Sequence, residues 1–296
     1  ADPLHGLLLL SVGGLLFVPM AGITSAGLSW RLQLLRFAIA LFLVTATSAR
    51  RCSRAEMPNL VTANLNGCTS LHMGCIPYDG ENGTDFSSGT VGATPCSSLS
   101  VSEISALSAS LRSEGAALTE LELQGTVLGS KGASMLAAGL KDHSKLTSLS
   151  VASCRLGGSG LQSLLRELPS SLMQLDLRHN YIDDDGAKVI ASTLKAAARR
   201  LNRLDIGWNG VGARGARALA EALRMNPELT DLSLSWNAVK DRGAKALGDA
   251  LSYNHKLTTL NLDHNAIKDA GAAAIAKGLK DNSVMRNVEI AHNGVS

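Results

Sequence analysis

Aromatic side chains are scarce: Phe, Tyr and Trp make up 3% of the 296 residues, so any that recur at a regular position carry information. Acidic residues are missing altogether from 3–55. No CxxC pair exists, which removes the usual zinc-ribbon and redox spacings. There is no GxxxxGKS/T, no HExxH and no GxSxG, so P-loop nucleotide chemistry, zincin hydrolysis and a nucleophile elbow have no sequence support. Lys and Arg number 28 against 25 Asp and Glu, a net charge of +3. That balance gives no electrostatic case for nucleic acid. No enzymatic activity, catalytic residue, metal or cofactor is expected.

What is present is repetition. LTDLSLSWNAVKDRGAKALGDALSYNHK begins at Leu229, and LTTLNLDHNAIKDAGAAAIAKGLKDNSV begins 28 residues later at Leu257. The same pattern starts at Leu118, Leu146, Leu172 and Leu201, with a seventh copy from Met285. A fixed period of this size predicts a stacked-repeat solenoid. Each unit opens LxxLxL, whose last two leucines alternate as in a strand with one buried face. An Asn follows at 180, 209, 237, 265 and 293, with Thr126 and Cys154 in the same slot. A column of amides there can satisfy inward-turned backbone groups, so Cys154 is expected to be a ladder residue rather than a nucleophile. A helix then begins at a cap slot holding Ser130, Gly158, Asp184, Ala213, Asp241 and Asp269. Ser102–Leu111 reads as an N-terminal lid helix capped by Ser102. The unit at Leu146 is two residues short and contains Pro169, which predicts a shorter helix. Gly210, Gly212 and Gly215 form GxGxxG after a strand, but sister units read NAVKDRG and NAIKDAG in the same place, so a dinucleotide site is not expected.

These units resemble the ribonuclease-inhibitor-like class of leucine-rich repeats. The resemblance covers roughly Ser102–Ser296. It implies an α/β horseshoe with a concave parallel β-sheet and outer α-helices. It also implies a protein–protein interaction scaffold that engages a macromolecular partner on the concave face. The family contains small-GTPase regulators and the sensor regions of larger nucleotide-binding immune receptors of the NLR type, which supply two alternatives. A GTPase regulator would draw on Arg155, Arg178 or Arg203.

Three regions follow: residues 1–55, a hydrophobic targeting or membrane-anchor segment; 56–98, a cysteine-containing irregular linker; and 99–296, the solenoid, expected to be C-terminally truncated because it ends without a closing helix. Phe37–Ala49 is an apolar run flanked by arginines and fits a signal-peptide core. A secretory or membrane-associated location is the expectation, with organelle import or the cytoplasm as alternatives. Cys52, Cys68, Cys75 and Cys96 can form two disulfides in any of three pairings, and Asn82 opens a glycosylation sequon.

The candidate partner contacts lie in two columns. The open strand position holds Glu122, Ser150, Asp176, Asp205, Ser233, Asn261 and Glu289, never a base, which predicts Asp176 and Asp205 side by side. The position before the ladder Asn holds Gly125, Ser153, His179, Trp208, Trp236, His264 and His292. Two adjacent Trp flanked by His either contact a partner or pack on one another to seal the edge; partner contact is the expectation. The contact set is therefore Asp176, Arg178, Asp205, Trp208, Trp236 and Asp263, facing a protein of unknown identity.

Overall fold

The computed structural model describes residues 51–53, 68–73, 99–112, 117–196 and 200–296. Among them are nine three-residue strands: β1 Arg51–Ser53, β2 Ser70–His72, β3 Glu120–Glu122, β4 Ser148–Ser150, β5 Gln174–Asp176, β6 Arg203–Asp205, β7 Asp231–Ser233, β8 Thr259–Asn261 and β9 Asn287–Glu289. The helices are α1 Val101–Arg112, α2 Gly129–Leu140, α3 Gly157–Arg166, α4 Asp184–Lys195, α5 Ala213–Leu223, α6 Lys240–Leu251 and α7 Asp269–Leu279. All strands are parallel and lie in chain order, β1 to β9.

The register explains the sequence pattern. Leu71, Leu121, Leu149, Leu175, Leu204, Leu232, Leu260 and Val288 stand opposite one another along the sheet. Their side chains point toward the helices, and the apolar face of each helix closes over them, so one core runs the length of the array. No unit buries its apolar side alone; stacking supplies the neighbour that does. The α6–α7 contact is the tightest. A Cβ on Gly248 would strike the Ala274 carbonyl, and one on Gly278 would strike the Gly248 backbone, so only glycine permits this approach.

The array starts earlier than the expected boundary at 99. β1 falls within the segment assigned to targeting, and β2 within the stretch assigned to an irregular linker. Cys68, Leu71 and Met73 keep the LxxLxL spacing as CxxLxM and are buried at 2%, 0% and 3% exposure. The pattern escaped notice because Cys and Met replace two leucines, and burial tolerates both. Asn82, Cys75 and Cys96 lie outside the described residues. No described helix is long and apolar enough to cross a membrane.

Local capping also differs from expectation. The lid helix α1 is capped by Ser100, not Ser102: the Ser100 hydroxyl accepts from Glu103 N at 3.2 Å, and the Glu103 carboxylate accepts from Ser100 N at 2.8 Å. This reciprocal pair is a capping box. Further along, the aspartates of the cap slot act across repeats. Asp184 Oδ1 accepts from Gly212 N and Gly215 N, both at 2.8 Å, at the start of α5 in the next unit. Asp241 does the same for Lys268 N at 2.8 Å and Gly271 N at 3.1 Å. α4 itself is capped by the preceding residue, Asp183. The expected shortening is present: α3 has 10 residues where α2 has 12.

Candidate functional site: the strand face and its rim

The turn after each strand is held by the amide ladder. Asn209 shows the complete arrangement. Its Nδ2 donates to Leu177 O at 2.9 Å, Ile206 O at 3.1 Å and Gly207 O at 3.0 Å, while Oδ1 accepts from Asn180 N at 2.7 Å and Ile182 N at 3.1 Å. Asn180 and Asn237 repeat the arrangement one unit either side. Cys154 stands in the column where expected, its Sγ donating to Leu123 O at 3.1 Å. Burial pushes its thiol up to about 12, against the opposing pull of the Thr126 contact. Because the thiolate is the reactive form, Cys154 should resist iodoacetamide in the native protein at mild alkaline pH and react once unfolded. Mass mapping of the alkylated peptide checks this, and rapid native labelling would remove Cys154 from the core.

A second ladder went unread in the sequence. Asn226, Asn254 and Asn282, each three residues before the next unit's first apolar position, accept from the N–H groups that open that unit and donate back to the preceding helix. Asn254 Oδ1 accepts from Lys256 N at 2.9 Å and Leu257 N at 2.7 Å, and its Nδ2 donates to Leu223 O at 2.6 Å. The recurrence of Asn at that offset was the available signal.

The ladder turn shapes the rim. Ser153, His179, Trp208, Trp236, His264 and His292 all have φ between 52° and 57°, and Gly125 has φ 75°. This left-handed conformation is costly for a residue with a Cβ. It turns each N–H onto the next strand, as when Trp208 N donates to Ser235 O at 2.9 Å and Trp236 N to Asp263 O at 2.8 Å. Repeated at every unit, it also sets the rings face to face. Centroid distances run 4.9 Å from His179 to Trp208, 3.9 Å to Trp236, 3.6 Å to His264 and 4.3 Å to His292, with interplanar angles of 10–25°. The rings therefore pack on one another, as the sealing alternative held, while Trp236 remains 37% exposed. Burial, then Arg178, lowers the pKa of His179, and burial, then His292, lowers that of His264, so both stay neutral near pH 7.

On the strand face, Asp176 and Asp205 are opposite one another in register, as expected. They do not form a bare acidic stripe. Arg178 lies between them, donating from Nη2 to Asp176 Oδ2 at 2.8 Å and from Nε to Asp176 Oδ1 at 3.0 Å, with Nε 3.6 Å from Asp205 Oδ2. The Asp176 hydrogen bond raises the Arg178 pKa further, and burial raises that of Asp205. Asp263 stands two strands further on and gives Oδ1 to Ala291 N at 2.6 Å. The six sequence candidates thus fall into three groups: an ion cluster of Asp176, Arg178 and Asp205; a ring stack containing Trp208 and Trp236; and Asp263, bound to the next strand. The GxGxxG amides have a partner within the chain, since the Asp184 carboxylate occupies the N–H groups of Gly212 and Gly215. Among the described residues no cluster of three or more His, Cys, Asp or Glu is arranged to hold a metal.

Six stretches, 117–137, 142–165, 169–191, 199–220, 226–248 and 253–276, match the family model described as Leucine Rich repeat. With the strand and helix geometry above, this makes the array a leucine-rich-repeat solenoid, and it belongs to the ribonuclease-inhibitor-like kind. Mouse ribonuclease inhibitor is 32% identical over 120 residues, 39% of this chain and 26% of that protein. Human NACHT, LRR and PYD domains-containing protein 12 is 34% identical over 127 residues, 42% of this chain and 12% of that protein. The chain thus matches well under two thirds of the length of these relatives. The solved structure of the leucine-rich repeat-containing protein LegL7 from Legionella pneumophila is 18% identical with a TM-score of 0.48, covering 77% of this chain and 66% of that one.

Proposed function

We propose that this protein is a non-enzymatic scaffold that binds a protein partner across the concave strand face, with the rim rings as anchor. The observation that carries this reading is the five-ring stack beside the ion cluster. Both are ordered before any partner arrives, so docking loses little side-chain freedom. Aromatic edges and a shared Arg–Asp cluster also suit the centre of an interface better than its rim. The test is photo-crosslinking from exposed strand-face positions, Gln174 and Arg203, against exposed helix positions, Lys188 and Lys245. Partner adducts should concentrate at the strand positions. Adducts mainly at the helix positions would sink the reading.

The sensor-region alternative draws support from the names of relatives such as NACHT, LRR and PYD domains-containing protein 12, of which this chain matches only a part. The GTPase-regulator alternative has no such support, and of its three arginines Arg178 is already held by Asp176 and Asp205. A secretory location remains our reading. It is supported by Cys68, which is disulfide-bonded, because such bonds persist in oxidising compartments. In the same alkylation map, the Cys68 peptide should be labelled only after reduction.

A further inference from the structure

An open cleft of about 740 Å³ lies where the C-terminal ends of α1, α2 and α3 meet the loop between α2 and β4. Four cationic side chains line it, Arg112, Lys141, Lys145 and Arg166, against two carboxylates, Asp142 and Glu167. Arg166 is held by Glu167 at 3.0 Å. Cations at helix C-termini are ordinary, since they offset the partial negative charge of the last carbonyls. The residue they surround is not.

His143 also lines the cleft and is only 8% exposed. It occupies the slot that Asn226, Asn254 and Asn282 fill in later repeats. There the side chain does two things: it accepts from the N–H groups opening the next unit, and it donates to the last helical carbonyl of the preceding one, Leu194, Leu223 or Leu251. His143 does only the first. Its Nδ1 accepts from Leu146 N at 3.2 Å and Lys145 N at 3.4 Å. An imidazole whose Nδ1 accepts carries its proton on Nε2. Burial, then Lys145, lowers the His143 pKa, which keeps that neutral tautomer near pH 7. Among the described residues the buried Nε2–H has no acceptor. By the spacing of the later units its counterpart would be the carbonyl of Leu111, another residue lining the same cleft. A donor without an acceptor, enclosed by cations, calls for an anion.

We propose that this cleft binds a phosphate group, with the His143 Nε2–H donating to one oxygen and Arg112, Lys141 and Lys145 balancing its charge. The group comes either as free phosphate or on a phosphorylated side chain. The test titrates inorganic phosphate, and separately a phosphoserine peptide, into the full chain while following the His143 ring and Arg112 side-chain nitrogens by NMR. Saturable shifts with a Kd of about 1 mM or tighter are expected. Lys145→Gln and His143→Asn should each weaken binding about tenfold or more. His143→Asn installs the amide of the later repeats, so it should leave the fold and the Cys154 protection unchanged. Tighter binding of the peptide assigns the phosphate to a protein partner; equal or weaker binding assigns it to the free anion. The absence of saturable shifts at about 10 mM phosphate, or wild-type affinity in either variant, overturns the proposal.

Discussion

Asn209→Ala should lower the unfolding free energy by about 3–4 kcal/mol, at the upper end of single-substitution effects. The amide makes five hydrogen bonds, to three carbonyls and two N–H groups, and the residue is 5% exposed. Alanine leaves Leu177 O and the N–H groups of Asn180 and Ile182 facing a small apolar void that offers no replacement partner. Each orphaned group costs more than the net value of a made bond, because water cannot reach it. The damage should also be local. In a solenoid each unit answers mainly to its neighbours, so the urea transition should broaden as the array divides near β6. Asn293→Ala is the internal control. Its residue is half-buried at the last strand, and its loss should cost about 1 kcal/mol. Urea titrations followed by far-UV circular dichroism measure both. If Asn209→Ala falls within about 1 kcal/mol of the parent, the column is hydrated and the ladder does not hold the turns.

The second large effect concerns Trp236. Trp236→Ala should cost about 2–3 kcal/mol, since the indole is stacked on both faces, at 3.9 Å from Trp208 and 3.6 Å from His264. Its 37% exposure keeps the value below that of a core tryptophan. Trp236→Gly removes the same ring, yet it should be milder by about 1 kcal/mol. The residue sits at φ 56°, where glycine is at ease and alanine is not. That ordering reverses the usual rule that glycine is the worse replacement, and it isolates the backbone cost that the stack overcomes. Thermal melts of the two variants decide it. Alanine milder than glycine would mean that the left-handed turn is unstrained. Intrinsic fluorescence should report the loss of Trp208–Trp236 stacking equally in both.

The period, the strand leucines and the ladder Asn were legible because each is a local pattern repeated many times, and repetition exposes the positions that cannot vary. The leucine-rich-repeat class, the parallel sheet and the helices outside it therefore follow from the chain read alone. β2 was not legible, because Cys68 and Met73 fill leucine positions and volume matters there more than residue type. The Asp184 and Asp241 carboxylates looked like caps on their own helices. The stack places each nearer the amides of the next helix, a relation about 30 residues away that no local window contains.

The site divides in the same way. The sequence alone placed Trp208 and Trp236 on one column, and Asp176 beside Asp205, because strand pairing at a constant period carries register with it. Only the tertiary structure decided that the rings lie face to face, since that depends on a left-handed turn imposed at every unit by the buried amides. It alone also put Arg178 between the two carboxylates, and left the His143 Nε2–H without an acceptor in a cationic cleft. Those outcomes depend on side-chain reach and direction across separate repeats, which spacing along the chain does not specify.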